Sequence, residues 1–165
     1  MNFNDKDILQ FKELLQTTTL QQGYQKLQTL LNQLKIDVAK KYPTFKVQNT
    51  VMENKMDYAY FQLQDQALKD HGLKLAIIFD YQRFSMKVWI SGANRQVQTH
   101  YHQFLLAQKD QSLVLSNDPK RQDFIVSYDL NISGTYEDIL LDITRVIDLA
   151  YQQAILWPCI QVGKI

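Results

Sequence analysis

The residues best suited to chemistry are two aspartates and a lysine, Asp57, Asp80 and Lys87. Each falls in or beside a run of alternating polar and apolar residues, the pattern of strands with one face in a core. Metal-dependent nucleases often place a carboxylate on one strand and an acid-x-Lys pair on the next. The acids hold a divalent ion and the lysine assists a metal-activated water. Here the residue two before Lys87 is Ser85, so a ligand is missing where that chemistry needs one. The plain alternative is that Asp80 opens a turn and Lys87 lies on a partly solvated face.

A second group points to binding. In Met56-Asp57-Tyr58-Ala59-Tyr60-Phe61, alternation puts Asp57 on the face of Ala59, Phe61 and Leu63, at the rim of an apolar surface. Tyr58, Tyr60 and Trp89 would wall a pocket in which Asp57, Asn94 and Arg95 orient a ligand. The competing reading is structural, with Asp57 paired to Arg95 or Lys87 beneath ordinary aromatic packing, because a carboxylate in such a place needs a partner. A third reading stacks single-stranded nucleic acid on Tyr58, Tyr60 and Trp89, with Arg83 beside them.

Other chemistries find little support. His100 and His102 are two apart on an expected helix, about 200° around its axis, so they cannot chelate one ion together. His71 has no partner at a ligand spacing, and no metal site or cofactor is expected. Cys159 is the only cysteine, which excludes an intrachain disulfide and a cysteine-based zinc site. There is no G-x-S-x-G elbow, Walker A loop or G-x-G-x-x-G turn, and five glycines offer little for a phosphate cradle.

The elements that must hold these residues follow from periodicity. Asp5 to Leu15 reads as a short helix. A second runs from Thr19, with Gln22 three residues on as a capping box, through Leu20, Tyr24, Leu27, Leu31, Leu34 and Val38 to Lys40 and Lys41, and Pro43 stops it. Phe45, Val47 and Val51 suggest a first strand, and Glu53 to Met56 a tight turn into a strand over Asp57 to Leu63. Leu73, Leu75, Ile77 and Phe79, then Phe84, Met86, Val88 and Ile90, form a hairpin over residues 73 to 91. Opposed side chains share a face, so its loop must hold an even number of residues. A loop of Asp80–Arg83 sets Lys87 opposite Ala76; one of Gln82-Arg83 sets it opposite Ile78. Either way Asp80, Lys87 and Trp89 share the second face with Ala76 and Ile78.

Asn94 and its neighbours offer N-caps for a helix to about Gln108, with Val97, Tyr101, Phe104 and Leu105 buried. Leu113 to Ser116 and Phe124 to Leu130 read as two further strands. Thr135 and Asp138 repeat the capping logic for a last helix, whose stripe is Ile139, Ile143, Val146, Ile147, Ala150, Tyr151 and Ala154. The expected order is ααββββαββα: an α+β fold of about four to six antiparallel strands packed against N-terminal helices, a middle helix and a long C-terminal one.

At Met56-Asp57-Tyr58-Ala59-Tyr60-Phe61, and at Met86-Lys87-Val88-Trp89-Ile90-Ser91-Gly92-Ala93-Asn94-Arg95, the chain resembles a bacterial family known only as a domain of unknown function. The shared order is a helical N-terminus, a Met-Asp-x-x-Tyr-Phe strand, a hairpin ending in Val-Trp, then Asn and a basic residue opening a helix. The family usually carries an acid where Lys87 stands. The resemblance implies a cytoplasmic bacterial protein, supplies no activity, and favours treating Asp57, Tyr60, Trp89, Asn94 and Arg95 as a set.

Composition bounds the rest. The chain has 165 residues, 45% of them hydrophobic, and a net charge of +1 from 18 basic and 17 acidic residues. That supply suits one domain spanning residues 1–165, and the charge balance argues against a nucleic-acid partner. The polar start and the lack of a spanning apolar run point away from a membrane and toward the cytoplasm. The expected function is non-catalytic binding of a small molecule or protein through the aromatic sheet face, with the nuclease and single-strand readings as alternatives. An exposed apolar stripe on the Thr19–Lys41 helix would add a homodimer.

Overall fold

A computed structural model describes residues 2–159. Two helices come first, α1 (Lys6–Thr17) and α2 (Leu20–Lys41), followed by strands β1 (Lys46–Val47), β2 (Met52–Asn54) and β3 (Tyr58–Gln64). After a short α3 (Gln66–Asp70) come β4 (Leu73–Asp80), β5 (Ser85–Gly92), α4 (Arg95–Gln108), β6 (Val114–Leu115), β7 (Val126–Leu130) and α5 (Tyr136–Ile155). The strands form one antiparallel sheet in the order β1-β3-β4-β5-β7-β6, with β2 beside the start of β3. The fold class is α+β, as periodicity implies. The expected order has six strands, and the seventh is β2, three residues long, where a turn is expected.

One sheet face is covered. Leu73, Leu75, Ile77 and Phe79 of β4, with Met86, Val88 and Ile90 of β5, point into a core closed by Leu31, Leu34 and Val38 of α2 and Ile143, Val146, Ile147, Ala150 and Ala154 of α5. Of the α2 stripe, Leu31, Leu34 and Val38 are buried inside the chain and Leu20, Tyr24 and Leu27 are half-buried, while α1 has no buried residue at all. The stripe that would favour a dimer if exposed is therefore turned at least partly inward.

The central hairpin takes the tighter register, with Ile78 opposite Lys87 and Ala76 opposite Trp89. Its ladder ends at Asp80 and Ser85, and Tyr81 to Phe84 form a four-residue loop. Phe84, expected inside the second strand, turns at φ 47° and is 65% exposed, its ring edge-on to Phe79 at 5.2 Å. Other expectations need similar corrections. Thr19 makes no side-chain cap; instead the Thr18 hydroxyl accepts from Leu20 N–H at 3.2 Å, so the Thr19–Gln22 box is not formed. Of the first strand suggested by Phe45, Val47 and Val51, only Lys46–Val47 is formed, as β1; β2 follows at Met52–Asn54, running into the segment expected to turn. The turn before β3 is Asn54–Asp57, one residue later than expected, closed by Asp57 N–H to Asn54 O at 2.8 Å. Asp65 caps α3, an element too short for periodicity to show. The Thr135–Asp138 capping box is present.

Tyrosine–carboxylate bonds fasten the helical layer. Tyr136 donates to Asp37 at 2.6 Å, Tyr42 to Asp148 at 2.7 Å and Tyr151 to Asp65 at 2.6 Å. Glu53 of β2 accepts from Tyr24 of α2 and from Tyr81 of the hairpin loop. The Tyr151 phenol is pushed up to about 12, first by that bond and then by burial. The Tyr136 bond is the main reason the Asp37 carboxyl is held below the usual carboxylate range.

Lys55 and Met56 both sit at positive φ, 48° and 62°, in the turn before β3. Replacing them with Asn-Gly should raise stability by about 1 kcal/mol in urea unfolding, because that pair adopts such turns without strain. Tyr136→Phe should return the Asp37 carboxyl toward its ordinary value, followed by its side-chain NMR shift on titration. A depressed carboxyl stabilises above its unfolded value and loses that contribution as pH falls through the folded one. The stability gap between the wild type and Tyr136→Phe should therefore be widest at neutral pH and shrink below about pH 4.

Candidate functional site

The opposite sheet face has no helix laid across it. Pleating puts Tyr58, Tyr60 and Gln62 of β3, Lys74, Ala76 and Ile78 of β4, and Trp89 and Ser91 of β5 on this side. Together with Met52 and Asn54 of β2 and the residues opening α4, they line a groove of about 510 Å³, within the usual range for small-molecule sites. Its floor is apolar. Ala76 and Ile78 are each only 3% exposed, although they face away from the core. Their neighbours shield them: Trp89 lies opposite Ala76, Tyr60 lies opposite Ile78, and the Tyr58 ring meets Trp89 edge-on at 5.9 Å. Trp89 in turn stacks on Phe124 at 4.8 Å, and its indole N–H has no hydrogen-bond partner among the described residues.

Of the residues expected to form a binding site, five line this groove: Tyr58, Tyr60, Trp89, Asn94 and Arg95. Asp57 does not. It lies exposed in the turn before β3 rather than on the buried side of the strand, and it pairs with neither Arg95 nor Lys87. The off-by-one turn explains this, since a one-residue shift at a strand start moves a side chain out of the pleat altogether. Asn94 caps α4, accepting from Val97 N–H at 2.9 Å. Arg95 reaches across to the loop before β7, donating to the Gln122 carbonyl and to Asp123 Oδ1 at 2.5 Å. Both therefore shape one end of the groove by fixing backbone.

Of the nuclease-type candidates, Asp80 and Lys87 are each engaged with another residue. Asp80, 6% exposed, accepts from Arg83 N–H at 3.1 Å within the hairpin loop, and Lys87 pairs with Asp129 of β7 at 3.2 Å. Among the described residues no group of three or more His, Cys, Asp and Glu is placed to hold a metal ion. His102 is buried and bonds the Ser116 carbonyl at 2.7 Å, His71 bonds the Ala67 carbonyl at 2.8 Å, and His100 is exposed.

Several lining residues escaped sequence reasoning. Gln98 is 3% exposed and ties Gly92 N–H to the carbonyls of Pro119 and Gln122, closing the groove's end; no local pattern marks it. Any Cβ on Gly92 would lie 2.7 Å from Gln98 N, so this strand end can meet α4 only as glycine. Lys74 was within reach, because the parity that pairs Ala76 with Ile78 also puts Lys74 on their face. Its ammonium has no ion-pair or hydrogen-bond partner among the described residues, nor have the Tyr58 and Tyr60 hydroxyls.

Compared with known families, the chain matches the domain of unknown function DUF7000 over residues 4–152. It belongs to that family. No curated protein and no solved structure matches the chain. The family match begins before α1 and ends inside α5, so it takes in every element that builds the groove. No helix among the described residues is long and apolar enough to cross a membrane.

Asn94→Ala should destabilise the protein by about 1 kcal/mol, and Asn94→Asp should restore most of the loss, as expected of a helix cap. Thermal and urea unfolding of the two variants would check this; equal losses in both would mean that the amide group has a role beyond the cap.

Proposed function

We propose that this member of the DUF7000 family is a non-catalytic binding domain whose ligand lies in the groove on the helix-free sheet face. The observation that carries the reading is the combination on that face of a nearly solvent-free apolar floor, aromatic walls with uncommitted hydroxyls, and a rim fastened by buried hydrogen bonds. A ligand with a flat apolar body can displace water from the exposed parts of Tyr58, Tyr60 and Trp89 at little cost in protein ordering, because Gln98 and Arg95 already hold the rim. Asp80 and Lys87 are engaged with Arg83 and Asp129, which leaves the nuclease-type reading without a supporting observation.

Two tryptophans are present, and Trp157→Phe leaves Trp89 as the single indole. A panel of planar bicyclic fragments should quench or shift the Trp89 emission in that variant and move the amide resonances of Ala76 and Ile78. Gln62→Phe, whose ring would fill the groove from a half-buried position beside Ala76, should abolish both effects while leaving the circular dichroism spectrum unchanged. Fragment shifts that avoid the groove, or that persist in Gln62→Phe, would overturn the reading.

A further inference from the structure

Among the described residues, the charges that line the groove are paired with one exception. Arg95 is bonded to Asp123, Arg83 to Asp80 and Lys87 to Asp129. Of the two carboxylates that line the groove, Asp123 is held by Arg95, and Glu53 takes up the hydroxyls of Tyr24 and Tyr81. Lys74 alone among the lining cations has no counter-charge among the described residues. It lies on β4 one pleat from Ala76 and directly across from Ser91, so its ammonium flanks the apolar floor. A second cation on the same face has no counter-charge among the described residues. Lys46 of β1 pairs in register with Gln64, one residue past the last β3–β4 pair, Leu63–Leu75, so Lys46 and Lys74 lie near the same end of strands that are two apart in the sheet, roughly 10 Å between backbones.

Resting on the groove reading above, we propose that the ligand is a small organic anion. Its planar, mostly apolar body lies on Ala76 and Ile78 against Tyr58, Tyr60 and Trp89, and a single acidic group meets Lys74. A half-buried lysine beside an apolar floor favours such a ligand for two reasons. The floor excludes water around the ion pair, which strengthens it relative to a fully exposed pair, and the lysine has no internal carboxylate that must first be displaced. The amides of Gln62 and Asn54 and the two tyrosine hydroxyls are left to set orientation. A neutral ligand of the same shape would lack the one charged contact that the groove offers.

The test uses the full chain and a matched pair of probes, 2-naphthoate and its neutral isostere 2-naphthamide, with binding read from amide shifts at Ala76, Ile78 and the Trp89 indole. Naphthoate should bind more tightly than naphthamide. Lys74→Met, which keeps the aliphatic stem, should weaken naphthoate about tenfold and leave naphthamide within about twofold. Raising salt should erode the naphthoate preference in the wild type and not in Lys74→Met. Lys26→Met, on the exposed side of α2, serves as the charge control and should change neither. Equal binding of the two probes in the groove, or equal losses for both in Lys74→Met, would overturn the anion inference and leave the groove reading standing. If neither probe moves the groove resonances at millimolar concentration, the groove reading fails as well.

Discussion

The register of the β4–β5 hairpin is the constraint on which the rest depends. Leu75 faces Ile90 and Ile77 faces Val88, so their side chains enter the core, while Ala76 faces Trp89 and Ile78 faces Lys87 on the other side. A slip of one residue would exchange the faces, bringing Lys74, Lys87 and Trp89 under α5 and leaving the leucines and valines in water. The loop helps to hold the register. Asp80 accepts from Arg83 N–H, and Phe84 adopts a left-handed backbone, so the reversal is completed in four residues. Because β4 is the middle of the sheet, each neighbour inherits its pleat phase. Tyr58, Tyr60 and Gln62 of β3 and Ser127 of β7 fall on the groove side for that reason alone.

Burial of the leucine and isoleucine stripes draws α2 and α5 onto one face, but apolar attraction has no direction. The tyrosine–carboxylate bonds add it. They join residues 86 to 106 apart in sequence for Tyr151–Asp65, Tyr136–Asp37 and Tyr42–Asp148. Phe45 is held edge-on between Tyr42 and Tyr151, at 5.4 and 5.3 Å, where the chain leaves α2 for the sheet. With both long helices fastened to the same side, and α4 set at the end of β5, the other face stays open over its middle. The open groove is therefore a consequence of where the helices are fixed, as much as of the residues that line it.

Most of the scaffold was legible because its signals are local and periodic. The α2 and α5 stripes, the Thr135–Asp138 cap and the alternation of β4 and β5 each lie within one element. Features decided by a single turn were harder to read. Alternation alone puts Asp57 on the buried side of β3, but the turn runs one residue further and takes Asp57 with it. The spacing of Thr19 and Gln22 points to Thr19 as the cap of α2, while the hydroxyl that serves is on Thr18. Phe84 has the size and hydrophobicity of a strand residue, and only its positive φ removes it from the strand. In each case neighbouring positions satisfy the same pattern, and the pattern alone does not choose between them.

The aromatic and basic residues around Trp89 were visible as a group, but their roles were not. By itself, the sequence determined the α+β class, the two faces of the central hairpin and the set of side chains on each, because pleat and helix periods are properties of the local backbone. Tertiary structure decided that Arg95 would bond to Asp123 and not to Asp57, that Lys87 would be neutralised by Asp129 while Lys74 would not, and that one sheet face would remain uncovered. Those outcomes depend on which segments, far apart along the chain, meet in space, and pairwise charge and hydrogen-bond choices are made only after that meeting.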